Sequence, residues 1–308
     1  MNNQLSNPTS SPVVSQSTIT TLPGATAILR QAWLLYRHRL RTFLGVMIIP
    51  MLVLIIGVIA IINVDGLLKS TPLSSIFAAG GVVLLIILAV TFFMIVYISL
   101  TWGEIAMLYA IKDGQEGIGV AEAYRRSWHK MLSYLWVSIL VQFITMGGFL
   151  LFVVPGIIFA VWFSLAKFIL VAENLKGMNS LLKSREYVKG KWGSVFWRFS
   201  FIDILYLIVF LAVTIVLILL IPNREILLTP NREYVLYVAR FIIGLFFTPL
   251  ATAYRFLVYS NLKALKGEIA FAPTGGQKAK FIIVAFLGFL FIPAILFLSY
   301  LIIVISMR

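Results

Sequence analysis

The sequence contains no cysteine among its 308 residues and only two histidines. Without cysteine the chain can form no disulfide, no thiolate metal site and no cysteine nucleophile. Acidic residues are also scarce, because 11 Asp and Glu stand against 25 Lys and Arg. Charged residues together make up 12% of the chain, about half of their share in a typical soluble domain. This shortage of charge excludes an ordinary soluble globular protein.

Apolar residues fill the chain instead, at 61% of the sequence and a mean hydropathy of +1.02. A membrane-spanning helix requires roughly 20 predominantly apolar residues. These features predict an all-α, polytopic membrane helix bundle of about seven spans. Five of the uncharged runs lie at 42–62, 76–103, 204–221, 241–254 with its flanks, and 281–306.

One apolar run is too long for a single span. Between Leu132 and Ala172 the only charged residue is Lys167, and a continuous helix over this run would be roughly 60 Å long, about twice the hydrocarbon thickness. The run must therefore fold back on itself. Proline lacks a backbone donor and glycine tolerates turn dihedrals, so Pro155 and Gly156 are the predicted hairpin turn.

The distribution of basic residues predicts the topology. With a cytoplasmic N-terminus, Pro155 outside and seven spans, about 20 of the 25 Lys and Arg fall on the cytoplasmic side, as the positive-inside rule requires. A single kinked span at 147–170 would place the basic clusters on opposite faces. We therefore expect a multi-pass plasma-membrane protein with an extracytoplasmic C-terminus.

A short amphipathic segment precedes each of three predicted hairpins. These segments start near Ala32, Ser127 and Ser184, and each combines aromatic and basic residues at the entry to a span. Such helices are typical of the membrane interface. The predicted organisation is a disordered polar tail at 1–22, three helix-plus-hairpin units at 23–265, a cytoplasmic linker at 266–280 and an additional transmembrane helix at 281–308.

The stretch from Pro155 to Phe196 carries a family resemblance. Its Pro-Gly pair, aromatic-rich span and Ser-Arg-x-x-Val-x-Gly-x-Trp helix resemble the bacterial glycerophosphoryl diester phosphodiesterase membrane-domain family and related uncharacterised multi-span membrane proteins. The resemblance implies an all-helical bundle in a bacterial plasma membrane. It brings no catalytic domain, because no stretch here could form the soluble barrel fused to some relatives. A seventh span also departs from the six-span pattern of that family.

The sequence offers no set of residues for catalysis. His38 and His129 lie among cations on amphipathic helices and lack carboxylate or imidazole partners at helical spacing. No Ser, His and Asp set can be placed together. We therefore expect no enzymatic activity, no cofactor and no metal site.

Four ionisable residues interrupt apolar sequence and form a predicted intramembrane charged layer: Glu104, Lys167, Asp203 and Arg255. Each must find a partner or a wet cavity. A structural clamp and a polar substrate cavity are both compatible with this pattern. We favour the clamp, with Lys167 paired to Glu104 or to Asp203.

The leading functional hypothesis is a non-enzymatic module that organises or regulates lipid-linked membrane processes. Its expected partners are the bilayer and anionic phospholipid headgroups, with an unidentified membrane-protein partner left open. No nucleic-acid partner is expected, because the positive charge is spread over four juxtamembrane segments. The alternative is a small transporter or permease that uses the charged layer. The predicted headgroup contacts are Arg30, Arg37, Arg41, Arg125, Arg126, Lys183, Lys189 and Lys191.

Overall fold

The structure is a computed structural model that describes residues 21–70, 81–220, 231–267, 269, 271 and 273–306. Its described part consists of helices and the loops between them, without a strand. The predicted all-α helix bundle is therefore confirmed. The predicted polar tail falls almost wholly on residues 1–20, which lie outside the described residues.

Three times along the chain, a short helix precedes a helical hairpin. In the first unit, α1 (Ala25–His38) leads into α2 (Leu40–Ser70) and α3 (Gly81–Lys112), and a 3-10 turn follows at Gly114–Glu116. Phe92 of α3 packs directly over Gly57 of α2. These two helices therefore form the first predicted hairpin.

The second unit contains the long apolar run. It comprises α4 (Val120–Trp128), α5 (Met131–Leu151), α6 (Val153–Phe163) and α7 (Ala166–Glu173). The α5 helix packs along both α6 and α7. The run therefore folds back as a hairpin, and its returning arm is divided into two helical segments.

The third unit begins with α8 (Met178–Val188), continues through α9 (Trp192–Leu220) and returns in α10 (Asn231–Lys266). A final helix, α11, covers Gly275–Ser306. This helix begins within the predicted linker, earlier than the expected span start at residue 281. Its docking partner is α5, with which it forms the most extensive contact between two described helices.

Six segments of the described chain are long and apolar enough to cross a membrane. The predicted seventh span falls on α11, whose side chains are described only in part beyond residue 291. The six segments are Leu40–Gly57, Val83–Lys112, Met131–Leu151, Val153–Glu173, Trp192–Leu217 and Val238–Lys266.

The hairpin turn differs from the prediction. The chain reverses at Phe152, whose backbone is extended between α5 and α6, and Pro155 and Gly156 lie inside the first turns of α6. Proline is tolerated there because a first-turn N–H has no helical partner. Gly156 serves close packing instead, since a Cβ at this position would lie 2.4 Å from the Phe149 ring of α5.

The apolar stripes of the short helices pack against the bundle. Ile28, Ala32 and Tyr36 of α1 are buried in the protein core, as are Ala123 and Tyr124 of α4. These faces therefore bind protein rather than the lipid interface to which the pattern assigned them. Their small residues allow this close packing. The polar faces of the same helices remain at the surface.

The Tyr124 hydroxyl fixes α4 to the first hairpin. It donates a 2.6 Å hydrogen bond to the carbonyl oxygen of Val46 in α2. Burial raises the pKa of Tyr124 to about 12, so the phenol remains a hydrogen-bond donor at neutral pH. Trp102 of α3 completes the joint, because its ring contacts the Tyr124 ring edge-on.

Candidate functional site

One end of the bundle gathers most of the described polar contacts. We call it the polar end: it comprises α1, α4 and α8, the starts of α2, α5 and α9, and the ends of α3, α7 and α10. Arg39, between α1 and α2, donates 2.6 Å hydrogen bonds to the carbonyl oxygens of Ala110 and Ile118. Lys130, just before α5, donates to the Asn174 side chain beyond α7. The Arg39 bonds join the junction of α1 and α2 to the end of α3 and the loop after it. The Lys130 bond closes the base of the second hairpin.

Two further cations bind backbone carbonyls at the polar end. Lys266, the last residue of α10, donates to the carbonyl oxygens of Glu186 and Lys189 at 2.7 and 2.6 Å. It thereby satisfies carbonyls at the C-terminal end of α8. Arg198 of α9 is buried and donates to the carbonyl oxygens of Leu22 and Pro23. Much of the basic excess thus stabilises the fold.

A carboxylate cluster surrounds Arg126. Its guanidinium contacts Asp113 at 2.6 Å, Glu116 at 3.0 Å and Glu122 at 2.8 Å. Glu122 also accepts from Arg125 at 2.7 Å. Hydrogen bonds from Arg125, and then from Arg126, hold the pKa of Glu122 below its usual range. The cluster fastens α4 to the loop after α3 and neutralises the charge of Arg126.

Glu173 is the centre of a second cluster, the Glu173 cluster. This carboxylate ends α7 and is only 8% exposed. It accepts hydrogen bonds from Tyr187 at 3.0 Å and Tyr259 at 2.7 Å, and it forms ion pairs with Lys183 at 2.6 Å and Lys263 at 3.3 Å. One buried acid therefore joins α7 to both α8 and α10.

Sequence reasoning assigned no role to Glu173, although a signal was present. Lys183 and Tyr187 are four residues apart, and so are Tyr259 and Lys263. That spacing places a lysine and a tyrosine on one face of each helix. Two such faces, each with a cation and a phenol, can share one carboxylate as acceptor, and Glu173 is the acid at the end of the apolar run.

The fourth predicted span is interrupted between α6 and α7. Ser184 of α8 accepts a hydrogen bond from the backbone N–H of Leu165 at 3.2 Å and donates to the carbonyl oxygen of Trp162 at 2.6 Å. Ser184 itself is fully buried. A single hydroxyl thus satisfies two backbone groups that the helix break would otherwise leave without partners.

Other residues of the Ser-Arg-x-x-Val-x-Gly-x-Trp signature also have structural roles. The Arg185 guanidinium lies 4.9 Å from the Trp162 ring centroid and 5.7 Å from that of Phe281 in α11. Val188 is fully buried. Gly190 has a φ of 76°, a left-handed conformation that glycine adopts without strain. The signature therefore joins α8 to the interrupted span and to α11.

The predicted charged layer consists of two ion pairs. Lys167 Nζ lies 3.2 Å from Glu104 and 5.2 Å from the ring centroid of Tyr134. Arg255 contacts Asp203. The Lys167–Glu104 pair is one of the two that the sequence predicted, and it joins α7 to α3. The second pair joins α10 to α9, so each pair connects two different spans.

The eight predicted headgroup contacts fall into two groups. Arg125, Arg126 and Lys183 are engaged by carboxylates of the protein itself, so their charge is largely compensated. The other five have no ion-pair partner within the part of the chain that the structure describes. These five are Arg30, Arg37, Arg41, Lys189 and Lys191.

In comparison with known proteins, no family model, no curated protein and no solved structure matches this chain. The resemblance of the Pro155–Phe196 stretch therefore remains an expectation from the sequence.

Proposed function

We propose that this membrane protein is a non-enzymatic module that binds anionic phospholipid headgroups and so organises or regulates lipid-linked processes at one membrane surface. The proposal places the cytoplasmic leaflet of a plasma membrane at the polar end. It is supported by the positive-inside distribution and by the surface of α1.

The single observation that carries the proposal is the outer face of α1. Its inner face is buried against the bundle, whereas Trp33 and Leu34 are 49% and 59% exposed. Arg30 and Arg37 flank them and are also exposed. An exposed tryptophan and leucine between cations is the pattern of a surface that lies at the headgroup level.

Cations without an ion-pair partner distinguish this surface from the rest of the polar end. Each cation near an anionic membrane contributes on the order of 1 kcal/mol, and salt screens the attraction. Arg30, Arg37 and Arg41 are exposed and have no ion pair among the described residues. They remain available to headgroups, in contrast to Arg126.

The first prediction concerns lipid preference. The triple variant Arg30→Gln, Arg37→Gln, Arg41→Gln is expected to reduce the preference for anionic over zwitterionic lipid about fivefold at each of the three contacts, since each cation contributes on the order of 1 kcal/mol. The measurement is exchange of labelled phosphatidylglycerol and phosphatidylcholine into nanodiscs that contain the purified protein, at low and high salt.

The control is Arg125→Gln, because Glu122 already compensates the Arg125 charge. This variant should retain most of the preference. If the wild-type protein shows no preference for phosphatidylglycerol over phosphatidylcholine, the proposed headgroup surface is wrong. It is also wrong if Arg125→Gln reduces the preference as much as the triple variant does.

A second candidate function is transport, and one observation favours it. The break between α6 and α7 lies next to Lys167, and interrupted helices beside charged residues form substrate sites in many transporters. The Lys167–Glu104 pair is also partly exposed. Against this candidate, Ser184 satisfies two backbone groups at the break.

A double-mutant cycle on the Lys167–Glu104 pair discriminates between a structural clamp and a transport site. In a structural clamp, Glu104→Gln leaves Lys167 unpaired and should destabilise the protein by about 3 kcal/mol. Adding Lys167→Met should recover much of this loss. Adding Arg255→Met instead should add a further loss, because it leaves Asp203 without its partner. Thermal unfolding in detergent measures these three variants and the single variant Lys167→Met.

Transport predicts the opposite pattern in this experiment. Water in a substrate cavity would solvate the charges, so the single variants would fold normally while a cellular phenotype disappeared. Unchanged melting temperatures for Glu104→Gln and Lys167→Met would therefore reject the clamp and favour transport.

A further inference from the structure

A basic cavity opens at the joint between α1 and α2. Its volume is about 730 Å³, within the range of small-ligand sites. The loop after α3 forms the opposite wall through Gly114 and Gly117. The side chains that define its chemistry are Arg37, His38, Arg39, Arg41 and Thr42.

The charge of this cavity is not compensated from within. Among the described residues that line it, none is acidic. The nearest acids in sequence on the facing loop are Asp113 and Glu116, and both are held by Arg126. Arg37 and Arg41 are exposed and have no ion pair in the described ranges. The cavity therefore presents several cations without counter-charge.

Part of the cavity is rigidly built. Arg39 is fixed by its two hydrogen bonds to the carbonyl oxygens of Ala110 and Ile118. These bonds hold the loop after α3 against the joint between α1 and α2, and Gly114 of that loop lies beside the Arg39 guanidinium. The cavity also contains the first turn of α2, which starts at Leu40. The last turn of α1 lies beside it, so the negative end of one helix dipole offsets the positive end of the other, and the attraction for an anion comes from the side-chain cations.

We propose that this cavity binds a phosphate group, with Arg37 and Arg41 as its charged ligands and Thr42 as a hydroxyl donor. Guanidinium groups match phosphate oxygens in pairs of parallel hydrogen bonds, and a hydroxyl adds a further donor. The inference rests on the proposed function for one of the two sources of this phosphate group, an anionic phospholipid. A soluble phosphate ester is the other.

The position of the cavity suits a lipid source. Leu40 begins one candidate span and Lys112 ends the next, so the cavity lies where two spans reach the end of their apolar segments. A phosphate at this level would be within reach of a headgroup and also open to the aqueous side.

The test uses the full-length protein in neutral detergent, with inorganic phosphate and sn-glycerol 3-phosphate as soluble probes and dihexanoyl phosphatidic acid as the lipid probe. Binding is followed by the shift in melting temperature against sodium chloride at equal ionic strength. Arg41→Gln and Arg37→Gln are each expected to raise the apparent Kd at least about tenfold. Thr42→Val, which retains the charge, should weaken binding less. Lys280→Gln is the matched control, because Lys280 is an exposed cation of α11 that lies outside both the cavity lining and the proposed headgroup surface.

The results with the three probes distinguish a soluble phosphate ester from a phospholipid as the source of the phosphate group. Saturable stabilisation by the soluble probes with this variant order supports the site and shows that a free phosphate suffices. Stabilisation by phosphatidic acid alone, with the same order, supports the site with lipid as its source. No saturable binding of any probe, or an equal loss in Lys280→Gln, overturns the proposal. If the nanodisc preference for anionic lipid fails while soluble phosphate binds here, the proposed function is wrong and the site remains.

Discussion

Gly288→Ala is expected to release α11 from the bundle. A Cβ at Gly288 would lie 2.0 Å from the carbonyl oxygen of Phe143, and a Cβ at Gly147 would lie 2.1 Å from that of Val284. Both obstacles are backbone atoms, so the helices must separate. Small residues permit such approaches between membrane helices. We expect a loss on the order of 3 kcal/mol from overpacking alone, measured by thermal unfolding in detergent.

The matched control is Gly276→Ala in the same helix, where a Cβ meets nothing within 4 Å. Alanine favours helix over glycine, so this variant should be neutral or slightly stabilising. Thiol cross-linking provides a direct readout, because the chain has no cysteine. Phe143→Cys with Phe289→Cys, on facing helices whose two rings contact each other with centroids 5.6 Å apart, should be joined by a short bifunctional thiol reagent in the parent and not with Gly288→Ala. Equal cross-linking in both would disprove the close approach.

Glu173→Gln should be the second severe variant. The substitution keeps the shape of the side chain but removes its charge, which leaves Lys183 unpaired at 15% exposure. Breaking a buried ion pair by removal of one partner costs about 3–5 kcal/mol. We expect a corresponding loss in the free energy of unfolding, together with earlier proteolysis of the loop between α7 and α8.

Two further variants make this result specific. Adding Lys183→Met to Glu173→Gln removes the unpaired cation and should restore part of the stability. Glu116→Gln removes an acid whose side chain is 61% exposed, and it should change stability by less than about 1 kcal/mol. A Glu173→Gln protein that melts like the parent would show that the cluster does not hold the helices together.

The long-range architecture was predictable because it follows from length and hydropathy. The run between Leu132 and Ala172 could not cross a bilayer once, so a hairpin was required. The residue at which the chain reverses was not predictable from Pro155, since proline suits a turn and a first helical turn equally. The extended residue is Phe152, and nothing in its chemistry marks it.

The partners of the charged residues were harder to predict, because they depend on which helices are neighbours. Lys167 has an acid on α3 and Arg255 an acid on α9, and periodicity alone cannot select between such pairs. The sequence predicts the amphipathic stripe of α1, but it does not predict that protein rather than lipid covers this stripe. A stripe records that a face avoids water, whether lipid or another helix covers it.

The hydroxyl that completes the break between α6 and α7 has a consequence for biosynthesis. Ser184 lies after this span in the chain, so it leaves the ribosome later than Trp162 and Leu165, whose backbone groups it binds. Until α8 docks, two polar backbone groups in an otherwise apolar segment lack these partners, which is unfavourable in hydrocarbon. We therefore expect stable insertion of the fourth span to require translation and docking of α8, the segment that follows it.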